Sequence, residues 1–122
     1  MKQALIQVRS DSHLALEESV ARASRAMRTG QPSDPVATFT FSSASQLFST
    51  FTPKRMALIE QLQKIGPSSV RGLARSLERD VRRVHDDVMA LIEWGIVERD
   101  ENGKVLVPFD VIHAGFDLRA AA

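Results

Sequence analysis

The stretch SVRGLARSLERDVRRVHDDVMALIEWGIVERDENGKVLVP, residues 69–108, decides the fold of this chain. Apolar residues repeat at helical spacing over residues 70–77 and again over 81–92, and a capping residue, Ser69 or Asp80, precedes each repeat. An Asn-Gly pair then stands between two short apolar runs, which is a strong signal for a β-hairpin. The sequence therefore predicts two helices, a strand, a tight turn and a second strand.

A third helix is predicted just upstream. Thr52 suits the position before a helix, Pro53 suits its first residue, and Gly66-Pro67 ends it. Gly95 is expected to end the last helix in the left-handed conformation. The residues expected to face inward on the three helices are Met56, Leu58, Ile59, Leu62 and Ile65; Val70, Leu73, Ala74 and Leu77; and Val81, Val84, Val88, Leu91 and Ile92.

Three helices and a hairpin follow one another in this order in the winged helix-turn-helix, a fold that reads duplex DNA. The fold class predicted is thus α+β, with a winged helix-turn-helix domain over residues 52–110. Residues 1–51 predict a small strand-helix-strand-helix extension: strands over 2–8 and 36–41, a helix from Ser10 or Ser12 to residue 28, and a brief helix capped by Ser43. The C-terminal tail, residues 111–122, contains most of the apolar segment 109–118, which either pairs with a strand or covers the core.

Composition limits the function classes. The chain has 122 residues, 43% of them hydrophobic and 25% charged, which is ordinary for a globular protein. It has no cysteine, its three histidines are far apart, and neither a G-x-S-x-G elbow nor a glycine-rich phosphate loop is present. We therefore expect no enzyme, no cofactor and no metal site. No segment approaches the ~18 apolar residues of a membrane span, so a cytoplasmic protein without membrane contact is expected.

Charge is unevenly distributed although the net charge is only +1. Residues 54–85 hold eight cations against three anions, whereas residues 86–101 hold six anions against one cation. Such asymmetry is typical of a basic face that binds nucleic acid. It is equally compatible with two segments that neutralise each other.

With these elements placed, the chain resembles winged-helix transcriptional regulators of the MarR-like type, in particular small DNA-binding proteins with a short α/β extension. The segments that carry the resemblance are TPKR (52–55), GP (66–67), SVR (69–71), LAR (73–75), RD (79–80), VH (84–85), DV (87–88), GIVE (95–98), Gly103 and VP (107–108). The resemblance implies transcription regulation through double-stranded DNA, and for some members an antitoxin role beside a cognate toxin protein. One departure is the turn between the helices, where Glu78-Arg79-Asp80 replaces the usual glycine.

Candidate DNA-binding residues follow from the inward positions of the last helix. With Val81, Val84 and Val88 inward, three arginines and one acid are expected to face outward: Arg79, Arg82, Arg83 and Asp86. Arginine there can read guanine or bind phosphate. The alternative is a solvated face on which Arg82 pairs with Asp86 and Arg83 with Asp87, four residues apart. His85 is either a polar DNA contact or a plain surface residue.

The remaining candidates lie on either side of that helix. Ser69 and Arg71 begin the preceding helix, whose free N–H groups can hold a phosphate, although Ser69 equally serves as a cap alone. Lys104 and Arg99 belong to the hairpin, which either reaches DNA or is solvated. Trp94 is better explained as core or interface than as a stacking platform.

The leading hypothesis is a homodimeric, sequence-specific duplex DNA-binding regulator in which the first half assists dimerisation. Four phenylalanines of that half are expected to join the two halves or to form the dimer contact: Phe39, Phe41, Phe48 and Phe51. The rival is a protein–protein interaction module that uses a winged helix for docking without DNA binding. The near-neutral net charge and the acidic segment 86–101 favour this rival.

Overall fold

A computed structural model of the protein describes residues 2–8 and 36–118, so the helix predicted from Ser10 or Ser12 lies outside the described residues. The described residues form an α+β structure. Its elements in chain order are β1 (Gln3–Val8), β2 (Val36–Phe41), α1 (Ala44–Thr50), α2 (Pro53–Ile65), α3 (Val70–Leu77), α4 (Val81–Trp94), β3 (Glu98–Arg99), β4 (Val105–Leu106) and β5 (Val111–Gly115). None of these helices is long and apolar enough to cross a membrane.

The chain forms two compact units, and the boundary between them falls within α1. The first unit contains the described residues of 1–47 and 111–122, and its centre is a parallel sheet with strand order β2-β1-β5. Ala4 pairs with Ala37 and Ile6 with Phe39, so alternate residues of β1 and β2 share one face. Ala4 and Ile6 are buried, as the alternating pattern predicts.

Strand β5 answers the question that the C-terminal segment left open. It pairs with β1 in parallel, with Gln3 opposite Val111. The segment after residue 110 therefore completes the sheet of the first unit, which is the strand-pairing alternative. A parallel partner for β1 cannot be inferred locally, because parallel strands are never joined by a short turn.

The second unit, Phe48–Asp110, contains α2, α3, α4 and the antiparallel pair β3-β4. All three predicted N-caps are confirmed. The Thr52 side chain accepts from the Arg55 backbone N–H at 3.3 Å, Ser69 from Gly72 at 3.0 Å, and Asp80 from Arg83 at 3.2 Å. Each cap satisfies one of the backbone donors that a helix leaves unpaired at its start.

The core of this unit follows the predicted helical stripes with three corrections. Its buried apolar residues are Phe51, Leu58, Ile59, Leu62, Leu73, Ala74, Val84, Val88, Leu91, Ile96, Val97, Val105 and Phe109. Met56, Ile65 and Val81 were expected inside but are 42%, 43% and 42% exposed. At 3.6 residues per turn, Met56 lies about 110° around the helix from the centre of the stripe formed by Leu58, Ile59 and Leu62. The other two are terminal residues of their helices, beyond the packed stripe.

The turn between α3 and α4 closes without glycine because Glu78 adopts the left-handed conformation itself, with φ 54°. Its N–H donates to the Arg75 carbonyl at 3.2 Å, and the Arg79 N–H donates to the Ala74 carbonyl at 3.0 Å. These bonds cap the end of α3. A side chain in this conformation costs roughly 1 kcal/mol, so the two bonds offset a local strain.

The predicted hairpin is confirmed, with strands shorter than the sequence suggests. Gly103 is the residue of its turn with positive φ, at 79°. The Gly103 N–H donates to the Asp100 carbonyl at 3.0 Å, and the Asp100 carboxylate accepts from the backbone of Asn102 and Lys104, both at 2.9 Å. This geometry is a type I turn followed by a left-handed glycine.

Candidate functional site

The outer face of α4 carries the two arginines that the sequence singled out. Val84, Val88 and Leu91 are buried, whereas Arg82 and Arg83, the second and third residues of the helix, are exposed. Within the described part of the chain no carboxylate lies within ion-pair distance of either guanidinium. The pairs Arg82–Asp86 and Arg83–Asp87, which were the alternative to DNA contact, are therefore not formed, and both arginines remain available.

Arg79 does not face outward as expected. Its side chain is only 18% exposed, and its Nη2 donates to Asp87 Oδ2 at 2.8 Å. The other carboxylate oxygen of Asp87 accepts from Arg55 Nε at 3.1 Å. We call Arg55, Arg79 and Asp87 the Asp87 clamp. Asp87 precedes the buried Val88 and is 17% exposed, so two cations compensate for its loss of hydration.

The Asp87 clamp joins three segments of the second unit. Arg55 lies in the first turn of α2, Arg79 in the turn before α4, and Asp87 in the middle of α4. Arg55 also donates through Nη1 to the Thr50 carbonyl at 3.1 Å. Two guanidinium groups share one carboxylate, so the clamp keeps one excess positive charge. Arg79 Nη1 is buried and has no hydrogen-bond partner.

An open depression of about 240 Å³ lies beside the clamp. Its lining residues are Thr52, Lys54, Arg79, Arg83, Asp86 and Asp87. The depression thus brings together two of the predicted residues, Arg79 and Arg83. It also includes Lys54, which the sequence did not single out.

The other predicted residues are exposed but are not gathered into this depression. Ser69 caps α3, and Arg71 is the second residue of that helix. His85 is 53% exposed, with Nδ1 3.8 Å from Asp86 Oδ1. Lys104 lies at the end of the hairpin turn, where its backbone N–H is bound by Asp100.

The hairpin contacts α4 through Arg99. Its Nη2 lies 3.7 Å from the sulfur of Met89, a half-exposed residue on the outer side of the helix. Trp94 is partly buried at the end of α4, as expected for a core or interface residue. The hairpin is therefore fixed against the same helix that carries the exposed arginines.

Charge changes sign along the outer face of α4 and the hairpin. The first turn carries Arg82 and Arg83, but Asp86, one turn later, is 77% exposed. In the rest of α4 and in the hairpin three further acids are exposed: Glu93, Glu98 and Glu101. Along α4 itself, the positive charge is therefore concentrated at the start of the helix, next to the depression.

Sequence reasoning missed three members of this region, namely Lys54, Arg55 and Asp87. Arg55 and Asp87 are 32 residues apart, so no local spacing indicates that they meet. Asp87 was assigned to Arg83 because they are four residues apart on one helix, yet its position next to Val88 turns it toward α2. Lys54 had one local signal, its place in the first turn after the capping Thr52.

The described residues define a small α+β protein whose helical unit exposes a cationic helix start. A model of the HVO_A0114 family matches residues 50–114, more than half of the chain, and the chain belongs to this family. The matched segment covers α2, α3, α4, the hairpin and most of β5. Comparison with curated proteins gives no match, and neither does comparison with solved structures.

Proposed function

We propose that this protein is a sequence-specific duplex DNA-binding regulator of transcription built on a winged helix-turn-helix. In this assignment α2, α3 and α4 are the three helices, α4 enters the major groove, and the β3-β4 hairpin is the wing. The observation that carries the proposal is that Arg82 and Arg83 are exposed, without an ionic partner among the described residues, in the first turn of α4. The start of a recognition helix is the part that contacts base edges.

Two contacts support the assignment of the wing. The backbones of Ser68 and Val105 exchange hydrogen bonds of 3.0 and 2.8 Å. The segment between α2 and α3 therefore pairs with β4 of the hairpin. Arg99 rests against Met89 of α4. A hairpin held on both sides can present Lys104 at a fixed distance from the helix, next to DNA.

Dimerisation is part of the proposal. Regulators with a helix-turn-helix domain commonly bind DNA as dimers, and the spacing of the two half-sites matches the symmetry of the dimer. We assign the contact between the two subunits to the first half of the chain. If the protein acts as an antitoxin, a cognate toxin would be a second partner. A mass measurement in solution tests the dimer directly: a monomer at micromolar concentration would contradict this part of the proposal.

The role of α4 as the recognition helix is tested with Arg82→Ala and Arg83→Ala. Binding to a duplex whose sequence was selected from random DNA is measured at several salt concentrations. Each substitution is expected to weaken binding by about 1–3 kcal/mol if the arginine reads bases. Lys64→Ala serves as control, because it removes one exposed cation from the far end of α2. If both arginine variants keep the affinity of the unaltered protein and its slope of log K against log salt, α4 is not the recognition helix.

A docking module without DNA binding is the second candidate, and the exposed acids favour it. Asp86, Glu93, Glu98 and Glu101 would be repelled by phosphates that approach the second half of α4 and the hairpin. The double variant Glu93→Lys, Glu98→Lys separates the two functions. DNA binding predicts a higher duplex affinity for this variant, whereas docking through the acidic face predicts a weaker protein complex and no duplex binding in either form.

A further inference from the structure

We infer that the depression beside the Asp87 clamp is a site for one phosphate group, held by Lys54, Arg79 and Arg83. Resting on the proposed function, this phosphate belongs to the backbone of the bound duplex. The inference adds Lys54 to the DNA-contacting residues. It also changes the role of Arg79. Instead of facing outward toward DNA, Arg79 is partly buried and donates a hydrogen bond to a phosphate oxygen.

The charge of the lining supports an anion. Four cations surround the depression or its clamp, Lys54, Arg55, Arg79 and Arg83, against the two carboxylates of Asp86 and Asp87. Asp87 is neutralised by its two arginines at 3.1 and 2.8 Å. Asp86 is 77% exposed to solvent, where water and salt screen its repulsion. The lining alone has an excess of one positive charge, and Arg55, which is bound to Asp87, raises this excess to two.

The hydrogen-bond donors are of the kind that phosphate oxygens need. Arg79 lines the depression, and its guanidinium is already oriented because Nη2 donates to Asp87 at 2.8 Å. Thr52 Oγ1 accepts the Arg55 N–H at 3.3 Å, which leaves its own hydroxyl hydrogen free to donate. Lys54 and Arg83 are exposed at the rim and can close on an anion from two sides.

The size of the depression also fits. Its volume is about 240 Å³, and a water molecule takes roughly 30 Å³ in the liquid. There is room for a tetrahedral phosphate and several waters. The opening is wide, so a phosphate that remains covalently linked within a nucleic-acid strand can enter.

Asp87 acts here as a positioning residue. It lines the depression, and it would repel an anion if its carboxylate were not paired with Arg55 and Arg79. By binding Arg55 and Arg79 it fixes the guanidinium of Arg79 at the edge of the depression. Because the Arg79 side chain is already held in place by Asp87, it loses less conformational entropy when an anion binds.

The test compares two lysines of one helix. Lys54→Ala and Lys64→Ala each remove one exposed charge, but their positions are separated by ten residues, about 15 Å of helix. Duplex affinity is measured by fluorescence anisotropy at several salt concentrations. Lys54→Ala is expected to lose about tenfold in affinity and to make the slope of log K against log salt shallower by about 0.9. Lys64→Ala is expected to change both by less than half as much, and equal effects of the two substitutions would overturn the inference.

A second arm distinguishes this inference from the proposed function. Inorganic phosphate is titrated into ¹⁵N-labelled protein at constant ionic strength, against chloride, and the amide signals of Thr52, Lys54 and Arg83 are followed. Saturable shifts that Lys54→Ala abolishes are expected. If the unaltered protein shows these shifts but binds no duplex, the phosphate site stands with a free phosphate as ligand and the proposed function fails. If neither duplex binding nor these shifts are seen, both are overturned.

Discussion

Replacing Asp87 by alanine should destabilise the helical unit more than any other single loss of charge at its surface. The substitution leaves Arg55 and Arg79 without their shared carboxylate, at side-chain exposures of only 23% and 18%. Exposed ion pairs contribute about 0–1 kcal/mol, and breaking a fully buried pair costs roughly 3–5 kcal/mol. Because the clamp is mostly but not fully buried, we expect a loss of about 2–3 kcal/mol.

Urea unfolding followed by the fluorescence of Trp94 measures this loss, because Trp94 is the only tryptophan and lies in the helical unit. Asp86→Ala is the matched control: it is the neighbouring acid, 77% exposed, and its nearest ionic contact is His85 at 3.8 Å. It should change the free energy of unfolding by less than about 0.5 kcal/mol. Asp87→Asn keeps one acceptor oxygen and should lose about half as much as Asp87→Ala. If Asp87→Ala matches Asp86→Ala, the clamp does not join the three segments.

Substitutions at Ser69 and at Gly103 test one helix cap and one turn. Ser69→Ala should lower the free energy of unfolding by about 1 kcal/mol, because it removes the cap. Ser69→Asp keeps the cap but adds a negative charge at the start of α3, so it should weaken duplex binding several-fold. Unchanged affinity in Ser69→Asp would mean that this helix start does not approach phosphate. Gly103→Ala should cost about 1 kcal/mol in thermal unfolding because φ is 79° there. The exposed neighbour Asn102→Ala should cost less than about half of that, and equal losses would show that the turn relaxes.

The elements that local signals encode were predictable from the sequence. The caps Thr52, Ser69 and Asp80, the hairpin at Gly103 and the left-handed Gly95 all depend on residues within a few positions of one another. Alternation likewise predicted β1, and β-branched and aromatic residues predicted β2; the structure has these strands at Gln3–Val8 and Val36–Phe41.

Features that depend on contacts between distant residues were not predictable. The pairing of β5 with β1 joins opposite ends of the sequence, and the Asp87 clamp joins residues 32 apart. Helical spacing gave Asp87 a partner four residues away, but desolvation beside Val88 favours two partners from other segments. The turn at Glu78 also departs from expectation, because hydrogen bonds to the end of α3 offset the strain that glycine would avoid.

The position of β5 beside β1 has a consequence for how the chain acquires its structure during synthesis. Contacts within the helical unit connect residues of one continuous segment, 48–110, and such local structure forms faster than pairings between distant residues. The first strands leave the ribosome early but cannot complete their sheet until residues 111–115 have also emerged. The helical unit is therefore expected to fold before the sheet of the first unit, although the residues of β1 are synthesised first.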